Sequence, residues 1–327
     1  LHLSERCAPL RVRLAPSFLK RKPPALRDFQ RPTMLLGLSA AAHGVPLVGS
    51  FHTNFASYFR YLWPWRWMEG VVWRFTTRFY NAFDRVLVPT ASMLQELREH
   101  GMSTPASIWS RGVDLQRFSP TRRDPRWRRS LGINDDEVVV TFVARLYWEK
   151  GIRKLVQVLE ALERSEVSHR VLIVGDGPGE GFLRGRLPRA CFTGFLAGEE
   201  LSRAYASADI FLYPSETDTF GNVTLEAMAS GLPVVGANAP GTRCVVGDSE
   251  GATLCAPDDV ESMAHGVERL VRDGAFREAS ARASLQRARS FSWAAIMSEL
   301  SRDYDRIIAG TSTRPALLSS AARAALG

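Results

Sequence analysis

The chain has 327 residues, of which 45% are hydrophobic and 23% are charged. This length allows two domains with separate cores, and the composition is that of a soluble globular protein. The net charge of +8 favours an acidic partner and leaves nucleic acid, anionic lipid and phosphorylated substrates open. The four cysteines have no paired spacing and no neighbouring histidine cluster, which argues against a zinc site or a disulfide framework. We therefore expect no metal and a reducing compartment.

No membrane-spanning segment or signal peptide is predicted. The most apolar stretch, residues 34–51, is interrupted by His43 and Pro46. The basic segment that opens the chain at Leu1 lacks the apolar run of a signal peptide. The expected location is the cytoplasm, with peripheral binding to a membrane face as an option that the aromatic composition raises below.

Predicted strands and helices alternate from about residue 138 to 275. The first strand is the β-branched run 138–144, which lacks the polar alternation of a half-exposed strand. Such alternation predicts a parallel sheet wrapped by helices, the doubly wound α/β architecture. The further strands are predicted at 170–175, 190–195, 210–214, 233–236 and 252–255, and the helices at 152–165, 199–207 and 222–229.

The first third of the chain shows the same alternation in a shorter form. Buried strands are predicted at 46–51 and 85–89, and a helix at 91–100. A polar stretch with five arginines, residues 119–129, has the composition of an interdomain linker. The sequence thus predicts a second α/β domain before this linker.

Two cations follow the first strand of the larger predicted domain. Arg145 comes directly after that strand, and Lys150 precedes the next helix. In an open α/β sheet, ligands bind beyond the carboxyl ends of the strands. Two cations beside the free amides of a helix N-terminus suit a diphosphate. The alternative is a solvated pair of loop side chains.

A glycine turn follows the second strand of this domain. Gly175 and Gly177 allow a tight turn and a close backbone approach to a ligand. A purely structural turn explains the same residues equally well. The third glycine of the dinucleotide-binding fingerprint is absent, which argues against a nicotinamide-dependent dehydrogenase.

The most specific pattern spans residues 214–235. Its two carboxylates, Asp218 and Glu226, have seven residues between them, and a Phe-Gly-Asn turn lies in that interval at a predicted helix start. Glu226 stands among apolar neighbours, where an unpaired carboxylate costs several kcal/mol or becomes protonated. A ribose diol would provide the partner that it needs. The alternative is a surface carboxylate on an amphipathic helix.

This pattern resembles the signature of glycosyltransferase family 4. In that family, two acidic residues with seven between them are followed by Ala-Met-Ala-x-Gly-x-Pro-Val-Val, which this chain matches from Asp218 to Val235. Asp218 stands where many members have Glu, as in the subgroup with Asp-Thr-Phe-Gly-Asn-Val. Arg145 and Lys150 match the family's phosphate-contacting pair, and residues 112–120 match the segment that leads out of its first domain.

The resemblance covers roughly residues 45–308 and implies a retaining transferase of the GT-B fold, with two Rossmann-like domains facing a cleft. The donor would be a nucleotide-diphosphate sugar, and no cofactor or metal would be needed. The chain is similar to lipid-directed members, the sulfoquinovosyl and GDP-mannose-dependent mannosyltransferases. Whether the donor carries UDP or GDP stays open.

The resemblance also implies the roles of individual residues. Arg145 and Lys150 would neutralise the leaving nucleoside diphosphate, and Glu226 would bind the ribose. Asp218 and the amides of the Phe-Gly-Asn turn would contact the sugar, which His52 would approach from the first domain. The implied catalytic residues are His52, Asp218, Arg145 and Lys150. The implied donor-binding residues are Arg145, Lys150, Gly175, Gly177, Phe220, Gly221, Asn222 and Glu226.

The resemblance further implies the domain boundaries. Residues 1–118 would form an acceptor-side domain, residues 119–290 a donor-binding domain, and residues 291–327 a C-terminal helix and tail. The family's first domain begins with a strand and a glycine-containing loop that nothing before residue 45 supplies. We expect the first domain to be incomplete. A catalytically impaired, sugar-nucleotide-binding fragment is therefore the alternative function.

Residues 51–83 mix four tryptophans and several other aromatics with arginines. This composition is typical of contact with a membrane surface, although a helix packed on the first sheet would also explain it. Together with the resemblance, it predicts a lipid acceptor and an anionic membrane surface as partners. Nucleic acid is disfavoured as a partner because the arginines are dispersed and no recognised binding motif is present.

Overall fold

The structure, a computed structural model, describes residues 46–51, 67–218 and 220–311. Residues Val48–Ala309 form one compact unit with two parallel sheets. The strands are β1 Val48–Ser50, β2 Arg85–Val88, β3 Ala106–Ile108, β4 Val139–Val143, β5 Arg170–Val174, β6 Cys191–Gly194, β7 Ile210–Tyr213, β8 Val234–Ala237 and β9 Ala252–Cys255. The helices are α1 Met68–Tyr80, α2 Ala91–Glu99, α3 Pro125–Ser130, α4 Ile152–Arg164, α5 Glu180–Arg186, α6 Gly198–Ala206, α7 Asn222–Ala229, α8 Pro240–Val246, α9 Val260–Arg272, α10 Gly274–Arg289 and α11 Trp293–Thr311.

The larger sheet has the strand order β6-β5-β4-β7-β8-β9, and all neighbouring strands in it are parallel. The direction of winding reverses between β4 and β7, because β5 and β6 extend the sheet on one side and β8 and β9 on the other. A crevice opens beyond the carboxyl ends of the two strands at such a switch point. The predicted α/β architecture is confirmed, and the residues that follow β4 and β7 come together here.

Burial explains why these segments form strands and helices. All five residues of β4 and all four of β7 are buried, which favours apolar side chains on both faces of the sheet; the buried Thr141 donates its hydroxyl to the carbonyl of Leu172. Helix α4 buries seven side chains, among them Leu155 and Leu162, along one face. This apolar face of α4 packs in the core of the larger sheet, while the opposite, polar face of the helix lies in solvent.

The smaller sheet has the order β1-β2-β3, and its strands are also parallel. Val86 and Val88 of the central strand are fully buried, and Trp73 of α1 and Leu97 of α2 belong to the same core. Strand β3 was not predicted from the sequence, because its three residues are too few to show an alternating pattern. It forms by hydrogen bonding to the edge of β2, which continues where the amide of Trp109 donates to the carbonyl of Val88 at 2.8 Å.

Part of the predicted linker is anchored in the larger core. Helix α3 begins after Asp124, whose side chain caps it, and it carries Arg128, of which only 1% is exposed. The Arg128 guanidinium donates to the carbonyl of Ser207 at 2.9 Å and to the Asp209 carboxylate at 3.0 Å. The burial of Arg128 was not predicted from the sequence, because an arginine in a polar stretch gives no sign in the sequence of its buried partners.

Helix α1 has one buried and one exposed face. Trp73 is buried and stacks on the His100 ring at a centroid distance of 4.2 Å. Trp67, Val71 and Phe75 follow one another at four-residue intervals and are exposed, Trp67 by 68%. Among the residues that the structure describes, no helix is both long and apolar enough to span a bilayer.

The loop after β5 crosses the loop after β4 at backbone contact distance. The amide of Leu146 donates to the carbonyl of Asp176 at 2.7 Å. Gly175 has φ +129°, and a Cβ atom placed there would lie 1.9 Å from the carbonyl oxygen of Ala144. At Gly177, with φ +148°, the added Cβ would lie 2.8 Å from the Leu146 carbonyl oxygen. Both glycines are thus required for the two loops to cross.

We expect Gly175→Ala to lower the free energy of unfolding by about 3 kcal/mol, because the added methyl group meets rigid backbone and the backbone conformation disfavours alanine. Urea denaturation of the wild type and the variant measures this change. Gly181→Ala is the matched control, since no atom lies within 4 Å of the added Cβ in α5. Alanine there should be neutral or stabilise the protein by up to about 1 kcal/mol. Equal stability of the two variants would contradict the packing role of Gly175.

Candidate functional site

A cavity of about 290 Å³ lies beyond the carboxyl ends of β4 and β7. We call it cavity I. Its walls come from the segments after β2, β3, β4 and β7 and from the first turn of α7. The residues that line it are Pro89, Arg111, Ala144, Arg145, Lys150, Tyr213, Asp218, Phe220, Gly221, Asn222 and Val223. The sequence-predicted residues Arg145, Lys150, Asp218 and 220–222 therefore meet in one place.

Asp218 is held by three side chains. Its Oδ1 accepts a hydrogen bond from Lys150 Nζ at 2.9 Å. Its Oδ2 accepts from the Tyr213 hydroxyl at 2.6 Å and from the Ser215 hydroxyl at 3.0 Å. Burial and the Asp218 carboxylate raise the pKa of Tyr213 well above its ordinary value, so the phenol keeps its proton and acts as a donor. Asp218 thus fixes Lys150 at the cavity wall, while the ammonium has further N–H groups for a ligand.

Arg145 supplies a second cation to cavity I. Its side chain is exposed and lies with its guanidinium carbon 5.4 Å from the centre of the Tyr147 ring. Within the described part of the chain, it takes part in no ion pair. A guanidinium that faces a cavity without a carboxylate partner keeps its full capacity to bind an anion.

Glu226 lies on the second turn of α7, in the wall of a second cavity of about 460 Å³. We call this cavity II; it shares Arg111 and Asn222 with cavity I. Glu226 Oε2 accepts a hydrogen bond from the Tyr205 hydroxyl at 3.2 Å. Burial raises the pKa of Glu226 to about 7, although the bond from Tyr205 opposes the shift. Among the described residues, this half-buried carboxylate therefore has one hydrogen-bond donor, and it has capacity for more.

Gly175 and Gly177 are not among the residues that line cavity I or cavity II. Their backbone supports the loop that carries Arg145, as described above. His52 lies outside the described residues, so its position relative to the cavities stays a prediction. Among the described residues, no group of three or more His, Cys, Asp and Glu side chains is arranged to hold a metal ion.

The sequence analysis missed the two tyrosines that bind the carboxylates, as well as Arg111. Tyr213 ends a strand whose other residues are apolar, and a hydroxyl at a strand end beside a predicted site is the signal that could have identified it. Tyr205 is fully buried on α6, and nothing in its sequence neighbourhood distinguishes it from an ordinary core aromatic. Arg111 directly precedes the segment 112–120, which the sequence analysis did single out.

Two family models match this chain. The model described as "Glycosyl transferases group 1" matches residues 123–287, which contain the larger sheet and both carboxylates of the site. The model described as "Glycosyltransferase Family 4" matches residues 5–117. The two matches together cover most of the chain.

Curated relatives align along most of this chain. The sulfoquinovosyl transferase SQD2 of Arabidopsis thaliana is 34% identical over 307 residues, which are 89% of this chain and 59% of that protein. A GDP-mannose-dependent alpha-mannosyltransferase of Corynebacterium glutamicum is 32% identical over 304 residues, which are 90% of this chain and 70% of that protein. The chain therefore spans less than two thirds of the first protein's length and about two thirds of the second's.

Solved structures share the fold. Anabaena Alr3699/HepE, solved in complex with UDP, superposes with a TM-score of 0.72 at 21% identity, covering 85% of this chain and 77% of that one. Sucrose-phosphate synthase from Thermosynechococcus elongatus gives a TM-score of 0.69 at 23% identity, covering 81% and 69%. These likenesses show the GT-B fold. With the family-model matches and the curated relatives, they establish that the chain belongs to the group 1 glycosyltransferases of family 4.

Proposed function

We propose that the chain is the core of a retaining glycosyltransferase that moves a sugar from a nucleotide-diphosphate donor to a membrane lipid. The observation that carries the proposal is the cationic cavity I, which lies at the switch point of the sheet and adjoins the cavity that contains Glu226. A nucleoside diphosphate has the matching chemistry, since it joins an anionic group to a ribose diol.

Electrostatic stabilisation of the leaving group would be the main catalytic contribution. When the bond between the sugar's anomeric carbon and the β-phosphate oxygen breaks, the electron pair stays on that oxygen and the diphosphate gains one negative charge. Arg145 and Lys150 are cations at the cavity wall, where fixed charges stabilise this developing anion without reorganising. Two side-chain cations at the cavity wall would supply the charge that a metal ion provides in other transferases, so we propose a metal-independent reaction.

The remaining predicted residues have proposed roles in holding the donor. Glu226 would accept hydrogen bonds from the ribose hydroxyls, which compensate for the desolvation of its carboxylate. Asp218 and the backbone amides at the start of α7 would contact the sugar, which His52 would approach from the other side. Gly175 and Gly177 would act indirectly, by allowing the loop that carries Arg145 to adopt its position.

Retention of the anomeric configuration fits the state of the two carboxylates. Asp218 already accepts three hydrogen bonds, and Glu226 is engaged with Tyr205. Neither is placed as the free nucleophile of a retaining glycoside hydrolase. We therefore propose that an acceptor hydroxyl attacks the anomeric carbon on the same face that the diphosphate leaves, and that its proton passes to the departing β-phosphate oxygen. The proposed function also includes the predicted domains: an acceptor-side domain at residues 1–118, a donor-binding domain at 119–290 and a C-terminal helix and tail at 291–327.

A membrane lipid is the proposed acceptor because of α1. The exposed row Trp67, Val71 and Phe75 is flanked by the exposed Arg74 and Arg78. Aromatic side chains that insert between lipid head groups, next to arginines that bind anionic ones, form a peripheral membrane-binding face. Such a face would hold the acceptor-side region of the protein at the bilayer surface.

Donor binding is tested by calorimetric titration with UDP and with GDP, in the presence of EDTA. We expect saturable binding of at least one nucleotide, because the two cavities match its diphosphate and its ribose. Arg145→Ala and Glu226→Ala should each weaken binding at least about tenfold, equivalent to about 1.4 kcal/mol. Arg126→Ala, an exposed arginine on α3 that lines neither cavity, should bind like the wild type. Absence of binding of both nucleotides at millimolar concentration would refute the proposed function.

The pKa of Glu226 predicts how stability depends on pH. Because the native state keeps a proton that the unfolded chain has already lost, the wild type should lose stability as pH rises from about 4.5 to 7. The loss should be about 2 to 3 kcal/mol. Glu226→Gln removes the buried charge and keeps an acceptor for Tyr205, so its stability relative to wild type should be greater at pH 8 than at pH 5.

Urea denaturation of both proteins at pH 5 and pH 8 measures this difference. Glu278→Gln is the surface control, because this glutamate is exposed on α10. If the stability difference between Glu226→Gln and wild type does not change with pH, burial does not raise the pKa of Glu226, and the prediction is wrong.

Membrane contact is tested by co-sedimentation with vesicles of phosphatidylglycerol and of phosphatidylcholine. We expect binding to the anionic vesicles, and the double variant Trp67→Ala/Phe75→Ala should bind several-fold more weakly because it loses inserted aromatic area. Tyr304→Ala on α11 removes an exposed aromatic elsewhere and should have no effect. Equal binding of all three proteins would exclude α1 as the membrane face.

Transfer is then measured from a radiolabelled donor of α-configuration into the lipids of these vesicles. The expected product is a glycolipid with an α-linkage, identified by its proton coupling constants. A β-linked product would exclude retention. Donor binding without transfer to any lipid would favour the alternative of a sugar-nucleotide-binding fragment.

A further inference from the structure

Arg111 is the residue that borders both cavities and that the proposed roles leave unused. It lies in the segment that follows β3, and it is exposed. It lines cavity I together with Arg145, and it lines cavity II together with Glu226. Its position is therefore at the junction of the two cavities, beside Asn222.

The backbone next to Arg111 is held firmly. A Cβ atom added to Gly112 would lie 2.7 Å from Cδ2 of the Trp293 indole, so the chain lies directly against the first turn of α11. The amide of Val113 donates to the carbonyl of Phe291 at 2.8 Å, and Val113 also forms a parallel bridge with Ser292. Arg111 thus extends from a backbone that these contacts already position, so binding a ligand does not have to order this segment as well.

The charge of Arg111 has no carboxylate partner among the residues that the structure describes. The neighbouring Arg117 pairs with Asp114 at 3.9 Å, and Lys150 pairs with Asp218. Over the residues described in the structure, Arg111 forms no ion pair, and its guanidinium donates no hydrogen bond. Surface arginines often lack partners, but this one borders a cavity that already contains two other cations.

The net charge of the residues that line cavity I can be compared with the charge of a nucleotide-diphosphate sugar. Its charged lining residues are Arg111, Arg145, Lys150 and Asp218, which leave a net charge of +2. A nucleotide-diphosphate sugar carries two negative charges on its phosphates and gains a third when the sugar leaves. Without Arg111 the lining would carry only +1, which matches neither state. With Arg111 included, the charge of the described lining is equal and opposite to that of an intact nucleotide-diphosphate sugar.

We propose that Arg111 is a third phosphate-contacting residue, which binds the donor's diphosphate where cavity I meets cavity II. The proposal rests on the proposed function. A donor with its ribose at Glu226 and its leaving phosphate at Arg145 must pass its phosphates through this junction. A guanidinium there presents two parallel N–H groups to phosphate oxygens, a geometry that lysine does not reproduce. The donor diphosphate, not a phosphate on the acceptor, is therefore its ligand.

The test compares the wild type with Arg111→Gln, Arg111→Lys and the control Arg126→Gln. Each is titrated calorimetrically with the nucleoside diphosphate that the wild type binds, with the corresponding monophosphate and with the nucleoside. We expect Arg111→Gln to weaken diphosphate binding about tenfold and to leave nucleoside binding unchanged. Arg111→Lys should recover part of the affinity. Arg126→Gln should match the wild type with every ligand.

Thermal unfolding of each variant separates loss of contact from loss of fold. If Arg111→Gln does not fold, the diphosphate affinity of Arg111→Lys is compared with that of the wild type instead. An Arg111→Lys affinity equal to that of the wild type would overturn the proposal. Nucleotide binding that Arg145→Gln abolishes and Arg111→Gln leaves intact would also overturn it, while the proposed function would stand. If Arg111→Gln binds the donor normally and raises the KM only for a phosphorylated acceptor, Arg111 contacts the acceptor instead. That result would refute the proposal. Failure of the wild type to bind either nucleotide would refute the proposed function itself.

Discussion

The ion pair between Lys150 and Asp218 is the contact on which the candidate site depends. It joins the segments after β4 and β7, across residues that are 68 positions apart in the chain. These segments meet because the sheet reverses its direction of winding between the two strands. Tyr213 and Ser215 complete the hydrogen bonds of the carboxylate, so the crevice has a defined shape before any ligand enters. Preorganisation of this kind lets fixed charges act without a reorganisation cost.

Around this fixed pair, the site has groups whose bonding capacity the protein does not use. Arg111 and Arg145 border cavity I without carboxylate partners in the part of the chain that the structure describes. Glu226 is buried far enough to raise its pKa to about 7. Each feature lowers stability or leaves it unimproved, and each provides capacity to bind a ligand that has both anionic oxygens and hydroxyl groups. Polar groups with spare bonding capacity at the switch point of the sheet are what a binding site requires.

Helix α11 determines how the segment after β3 contributes to the site. The contacts of this segment with Trp293 and Phe291 hold its backbone close to the larger sheet. A side chain that belongs to the smaller sheet's last connection thereby reaches a cavity built mainly by the larger one. Beyond its first turn, the same helix places Ile296, Leu300 and Asp303 beside Ile108 and Trp109 around a further small cavity.

The sequence by itself determined the larger sheet and the identity of the two carboxylates. Long β-branched runs that alternate with amphipathic helices predict a parallel sheet wrapped by helices, and the spacing of Asp218 and Glu226 is readable without coordinates. Tertiary structure alone decided the partners of these carboxylates, such as Tyr205 for Glu226, and the backbone-crossing role of Gly175. It also decided that β3 exists and that Arg128 is buried. The physical reason is that hydrogen-bond partners and close backbone approaches depend on which distant segments the sheet brings together. No local pattern in the chain specifies which segments these are.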